Sequence, residues 1–154
     1  MEEEKIIGNI DHIAIAVRSI EETQEFFSDL LDTEFTKLVP SGPGSDEDSI
    51  REAQKVIGFR SVISTEGIEL MESTRPDSDL QKFLDKRGEG VYAVAFTVED
   101  AGKARAKAEK KGIRIAGEVS SELKGVGRMR EIWLHPKDCH GVYIMFTEGL
   151  PFHP

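Results

Sequence analysis

The feature that most constrains the fold is an alternating stretch near the N-terminus that returns, in altered form, in the second half of the chain. The first copy is Ile10–Val17 and the second is Val91–Val98. Apolar residues at every second position predict a β-strand with two different faces. A helical segment follows each copy. The sequence therefore predicts two copies of one structural module.

The two copies differ at matching positions. A second echo relates Gly67–Met71, near the end of the first half, to Val142–Phe146, near the end of the second. In both echoes a polar residue of the first copy is replaced by an apolar residue in the second. The functional hypotheses below depend on this asymmetry. The matched pairs are His12 with Ala93 and Glu69 with Met145.

Each half is predicted to contain a strand, a helix and three further strands. The chain of 154 residues is predicted to be a single domain, with a first βαβββ module at 8–76, a linker helix at 77–88 and a second module at 89–150. One such module would expose an apolar sheet face, so two are expected to pair. The predicted fold class is α+β, an eight-stranded cup-shaped sheet with helices outside, and such a cup is a binding site by shape.

Local signals place the helices and loops. Ser19 and Ser78 each precede a Glu or Gln by three residues, which predicts two helix N-termini. The polar stretch Pro40–Asp48 is the longest predicted loop, either a solvated connection or a lid over a binding site. Residues 50–57 fit either a short helix or the start of a strand, and Ser120–Gly127 is predicted to be a loop.

Composition limits the partners. The net charge of −9 and the pI of about 5.0 argue against nucleic acid or an anionic membrane surface as the main partner, because both require a positive field. The chain contains no apolar run of the ~18 to 20 residues that a membrane span needs. The N-terminal residues are acidic, unlike a secretory signal, so a cytoplasmic location is expected. The single cysteine, Cys139, rules out an intramolecular disulfide.

His12 and Glu69 are the candidate metal ligands, one from a strand at each end of the first module. An imidazole nitrogen with a carboxylate oxygen suits a divalent metal. The alternatives are a hydrogen-bonded core histidine and an outward-facing strand carboxylate. Two protein ligands alone make a poor metal site, since a catalytic zinc normally has three.

The order and spacing of several stretches carry a resemblance that covers nearly the whole chain. The sequence resembles the vicinal oxygen chelate superfamily, which includes glyoxalase I, extradiol dioxygenases, bleomycin-resistance proteins and methylmalonyl-CoA epimerases, and it is most similar to the epimerase branch. The stretches that carry this resemblance are Ile10–Val17, Gly67–Glu72, Lys82–Gly90, Val94–Asp100 and His135–Val142.

The resemblance implies a divalent metal held by four protein ligands. His12 matches the first ligand and Glu69 the second, whereas Ala93 stands in place of a histidine and Met145 in place of a glutamate. Ser61 stands near the place of a catalytic glutamate in the epimerases. Because neither a methyl group nor a thioether replaces imidazole or carboxylate for a hard ion, metal affinity is expected to be low. The resemblance also implies a homodimer.

Three functional hypotheses follow. The first is a glyoxalase- or epimerase-like enzyme that acts on a small carbonyl compound or an acyl-CoA thioester, with a half-lost metal site. The second is a metal-free small-molecule-binding protein of the bleomycin-resistance type, and the third is a structural or regulatory subunit. The candidate pocket residues are Ser61, Ala93, Trp133 and Met145, and Arg60 and Arg130 are candidates for pairing with an anionic group.

Overall fold

The computed structural model describes residues 5–38, 47–123 and 127–149. Its helices are α1 (Ile20–Leu31), α2 (Glu47–Ile57), α3 (Asp79–Arg87) and α4 (Ala101–Lys110), with a short 3-10 turn at Pro136–Asp138. Its strands are β1 (Ile7–Ala16), β2 (Phe35–Leu38), β3 (Phe59–Ser64), β4 (Ile68–Ser73), β5 (Gly90–Val98), β6 (Ile115–Leu123), β7 (Gly127–Leu134) and β8 (Tyr143–Glu148).

The strands follow the order β2-β3-β4-β1-β5-β8-β7-β6 in an eight-stranded sheet. This order confirms the predicted α+β fold with two βαβββ modules, and α2 is an additional helix within the first. The chain also divides into two compact units. The continuous unit is Ala14–Tyr92, and the discontinuous unit combines Met1–Ile13 with Ala93–Pro154.

In the discontinuous unit, α4 packs on one face of the sheet. Asp100 begins this helix by accepting a hydrogen bond from the Lys103 amide. The buried face of α4 consists of alanines, which let the helix approach the strands closely. They pack with strand residues Ile132, Leu134 and Phe146. Side chains alternate along a strand, so the neighbouring residues in the sequence point to the opposite face of the sheet, which we call the polar face. On β7 and β8 the residues of this face are Glu131, Trp133, Tyr143, Met145 and Thr147.

The continuous unit repeats this arrangement around α1. Val62 and Leu70 of paired strands β3 and β4 are buried with Val17 and Ile20, and Phe27 of α1 packs against them. Ser61 and Glu69 have the opposite parity on these strands, so they face away from α1. Both are buried, at 6% and 7% exposed.

The structure tests two local predictions, those for residues 50–57 and 120–127. Residues 50–57, which fitted either helix or strand, belong to helix α2. The predicted loop at Ser120–Gly127 is wrong for its first part, because β6 continues to Leu123 and pairs antiparallel with β7, which begins at Gly127. Serine has a low intrinsic preference for strands, but pairing with a neighbouring strand overrides it here. The predicted loop at Pro40–Asp48, for which a solvated connection and a lid were the alternatives, lies outside the described residues except for its last two, which begin α2.

The N-terminus of α3 depends on one buried serine. The Ser78 hydroxyl accepts a hydrogen bond from the Gln81 amide at 3.0 Å and forms another with the Ser73 hydroxyl at 2.6 Å. We expect Ser78→Ala to lower the free energy of unfolding by about 1–2 kcal/mol, as measured by urea denaturation. Ser19→Ala, at the more exposed start of α1, is the matched control. A smaller loss for Ser78→Ala than for Ser19→Ala would contradict this assignment.

Candidate functional site

Asp11 and His12 form a buried pair on β1, in the discontinuous unit. The Asp11 Oδ2 atom lies 2.6 Å from His12 Nδ1, and the two residues are 2% and 4% exposed. A carboxylate accepts hydrogen bonds but does not donate them, so this contact places a proton on His12 Nδ1. In the neutral ring Nε2 is then the unprotonated nitrogen, which can bind a metal or accept a proton. The same arrangement orients metal-binding histidines and catalytic bases.

Glu131 of β7 is the second buried acid of this unit, and it is 7% exposed. Its Oε2 atom accepts a hydrogen bond from Trp133 Nε1 at 3.3 Å. Burial has the largest effect and raises the pKa of Glu131. The hydrogen bond from Trp133 and the charge of His12 act to lower this pKa, and the charge of Asp11 acts to raise it. His12, Asp11 and Glu131 therefore interact electrostatically.

Sequence reasoning missed Glu131 and Asp11. A signal for Glu131 was present, because strand alternation places it on the same face as Trp133, which was predicted to line the pocket. The burial of Glu131 depends on tertiary packing, which the local sequence does not encode. Asp11 was missed because a strand places it and His12 on opposite faces, and the ring contact between neighbours is a matter of side-chain rotation.

The apolar candidates Ala93 and Met145 lie on the polar face of the sheet in the same unit. Ala93 and Met145 are buried, at 4% and 6% exposed. In the strand register, Met145 lies opposite Trp133, and Ala93 lies beside Tyr143. The rings of Trp133 and Tyr143 meet edge to face with centroids 6.2 Å apart. Three of the predicted pocket residues, Ala93, Trp133 and Met145, therefore lie on neighbouring strands of one unit.

Ser61 and Glu69 belong to the continuous unit. In the antiparallel register of β3 and β4, Ser61 lies opposite Met71 and Glu69 lies opposite Ile63, so the two are diagonal neighbours on one face. Ser61 also lines a cleft of about 790 Å³ in this unit. The charged residues that line the same cleft are four cations and three carboxylates: Lys37, Arg51, Lys55, Arg60, Glu21, Glu47 and Glu72.

The two candidate arginines have partners within the protein. Arg60 binds Glu21 at 2.7 Å and Glu72 at 2.6 Å. Arg130 binds Glu118 at 2.5 Å. An anionic ligand would have to compete with these carboxylates, so neither guanidinium is an uncommitted anion site.

The donor chemistry at the four positions does not match the metal centre that the resemblance implies. Ala93 offers no donor atom, and the thioether of Met145 is a soft ligand that hard divalent ions bind poorly. Among residues 5–38, 47–123 and 127–149, His, Cys, Asp and Glu side chains nowhere form a group of three or more suited to a metal ion. His12 and Glu69 are thus the only two of the four positions that carry an imidazole or a carboxylate.

No helix within the described part of the chain is both long and apolar enough to cross a membrane.

Comparison with known proteins adds an independent line of evidence. Residues 11–127 match the family profile described as glyoxalase/bleomycin resistance protein/dioxygenase superfamily. The mitochondrial methylmalonyl-CoA epimerase of Mus musculus is 30% identical over 145 residues, which cover 93% of this chain and 74% of the mouse protein. The ethylmalonyl-CoA/methylmalonyl-CoA epimerase of Cereibacter sphaeroides is 28% identical over 140 residues, covering 90% and 96% of the two chains.

Solved structures of similar fold include the methylmalonyl-CoA epimerase of Streptomyces coelicolor in complex with 2-nitronate-propionyl-CoA. It is 29% identical, has a TM-score of 0.70, and the match covers 93% of this chain and 98% of that one. A methylmalonyl-CoA epimerase in complex with methylmalonyl-CoA and ammonium is 28% identical, with a TM-score of 0.71 and coverage of 97% and 100%. These similar proteins bind acyl-CoA compounds.

Proposed function

Because the chain belongs to the glyoxalase/bleomycin resistance protein/dioxygenase superfamily, we propose that it binds an acyl-CoA thioester and acts on it without a four-ligand divalent metal centre. The observation that carries the second part is the pair of buried apolar residues, Ala93 and Met145, at two of the four ligand positions. The similarity to acyl-CoA epimerases over nearly the whole chain supports the first part.

The Asp11–His12 pair supplies the reactive group of the proposed site. With its Nδ1–H group donating a hydrogen bond to Asp11, the ring can take up a proton at Nε2. The α-carbon of a thioester carries an acidic proton. Its transfer to His12 Nε2 leaves an enolate on the thioester and an imidazolium that the Asp11 carboxylate stabilises. Return of that proton to the carbon restores the neutral ring.

Binding and proton transfer are tested together with propionyl-CoA. We expect calorimetry to give a dissociation constant that changes less than about twofold when EDTA is added. We expect the α-hydrogens to exchange with deuterium in D₂O, followed by NMR, and His12→Gln to slow this exchange by about 100-fold or more while binding persists. The mixture without protein gives the background rate.

The outcomes separate the alternatives. Absence of propionyl-CoA binding would overturn the proposed function, and loss of binding on adding EDTA would overturn its metal-independent part. Binding without any exchange above background would instead support the second candidate, a metal-free binding protein. The apolar substitutions at Ala93 and Met145 favour that candidate, because they remove donors for catalysis but leave a surface for an apolar ligand.

A further inference from the structure

Glu131 and Thr147 lie opposite each other on paired strands β7 and β8. They share the polar face and are 7% and 2% exposed. Within the described part of the chain, Glu131 Oε1 and Thr147 Oγ1 have no hydrogen-bond partner. A buried polar atom without a partner costs about 1–3 kcal/mol of stability. Two such atoms on directly opposite residues form a candidate ligand position, because the protein's own hydrogen bonds do not account for them.

The indole of Trp133 fixes the orientation of the Glu131 carboxyl group. Its Nε1–H group donates a hydrogen bond to Oε2, so Oε1 can bind another group. Trp133 and Tyr143 are only half-buried, and their rings pack edge to face. Met145 lies opposite Trp133 in the strand register. This face therefore combines an apolar surface for an acyl chain with two polar atoms beside it.

We infer that Glu131 and Thr147 bind a hydroxyl group on the acyl chain of the ligand, so that the preferred ligand is a hydroxyacyl-CoA thioester. This inference rests on the acyl-CoA binding proposed above. A hydroxyl group both donates and accepts hydrogen bonds, so it can meet the carboxyl oxygen of Glu131 in either ionisation state and the hydroxyl of Thr147 at the same time.

A second carboxylate on the ligand fits this position less well. The charged groups that act on Glu131 are His12 and Asp11, and the contact between those two already engages His12 Nδ1. A ligand carboxylate placed beside Glu131 meets repulsion from like charge whenever Glu131 is ionised, whereas a hydroxyl group fits both ionisation states. Ala93 and Met145 supply no ligands for a metal ion that would offset this repulsion.

The test compares three probes by calorimetry, and they are β-hydroxybutyryl-CoA, butyryl-CoA and methylmalonyl-CoA. We expect the hydroxylated thioester to bind about tenfold more tightly than butyryl-CoA, and methylmalonyl-CoA to bind more weakly than either. Glu131→Leu and Thr147→Val should each abolish the preference for the hydroxylated thioester over butyryl-CoA, expressed as the ratio of the two dissociation constants. Glu118→Gln, which changes a β6 glutamate on the α4 side of the sheet, is the matched control and should keep the preference.

Thermal unfolding distinguishes a ligand-binding role from a structural one. Removing a buried carboxyl group without a full set of partners should leave the melting temperature of Glu131→Leu unchanged or higher, whereas a structural role predicts a lower one. If Glu131→Leu does not fold, the near-isosteric Thr147→Val carries the test.

Each result has a defined meaning. Equal affinities for the hydroxylated and plain thioesters in the unchanged protein would overturn this inference alone. A preference that persists in both Thr147→Val and Glu131→Leu would do the same. Failure of all three thioesters to bind would overturn the proposed function, and the inference with it.

Discussion

The double substitution Ala93→His with Met145→Glu is expected to create a divalent metal site. It would restore, in the unit that also holds His12, the two ligand types that the resemblance implies at these positions. Loss of a residue that merely supports a metal ligand costs about 10- to 100-fold in affinity, so two direct ligands should raise affinity by at least about 100-fold. Cobalt titration followed by absorption spectroscopy measures the gain, and metal content after dialysis gives the stoichiometry.

Both changed positions are buried, so folding must be checked by circular dichroism. The single variants Ala93→His and Met145→Glu should each give a smaller gain than the pair. Adding His12→Ala to the double variant should remove the gain. A well-folded double variant with no increase in cobalt affinity would show that His12 and the two introduced side chains do not converge on one ion, and would contradict the ligand assignment.

The largest loss of stability is expected at Ile132. This residue of β7 is fully buried and packs in the cluster that includes Phe146 and the alanines of α4. Truncation to alanine removes apolar contacts and leaves a cavity, so Ile132→Ala should lower the free energy of unfolding by about 2–5 kcal/mol. Urea denaturation followed by circular dichroism measures this loss.

Ile132→Val provides a graded comparison, with an expected loss of about 0.5–1.5 kcal/mol. The adjacent Glu131 faces the other side of the sheet, so its substitution should not reproduce the loss. Equal stability of Ile132→Ala and the unchanged chain would show that the cluster around α4 contributes little to global stability.

The alternating stretches predicted the fold well because a strand with one apolar face leaves a period of two in the sequence. β1 and β5 begin within three residues of their predicted positions at Ile10 and Val91. The helix N-termini at Ser19 and Ser78 were also predicted correctly, since each hydroxyl accepts the expected amide hydrogen bond. The end of β6 was not readable, because pairing with β7 rather than local propensity forms it.

The candidate site was only partly predictable. The positions of His12 and Glu69 followed from repeat and resemblance, and the structure places both side chains in buried surroundings. Glu131 and Thr147 have no counterpart in that reasoning, because a charged or hydroxyl residue on a strand normally faces water. Their unsatisfied atoms become visible only when the packing of the sheet is known.

The division of β1 between the two compact units has a consequence for synthesis on the ribosome. All residues of the continuous unit, Ala14–Tyr92, are available once the first part of the chain has emerged, so it can begin to fold while translation proceeds. The discontinuous unit joins residues up to Ile13 with a segment that begins at Ala93. The β1 residues up to Ile13 therefore emerge well before the segment from Ala93 with which they form a unit, so this unit completes its folding after the continuous one.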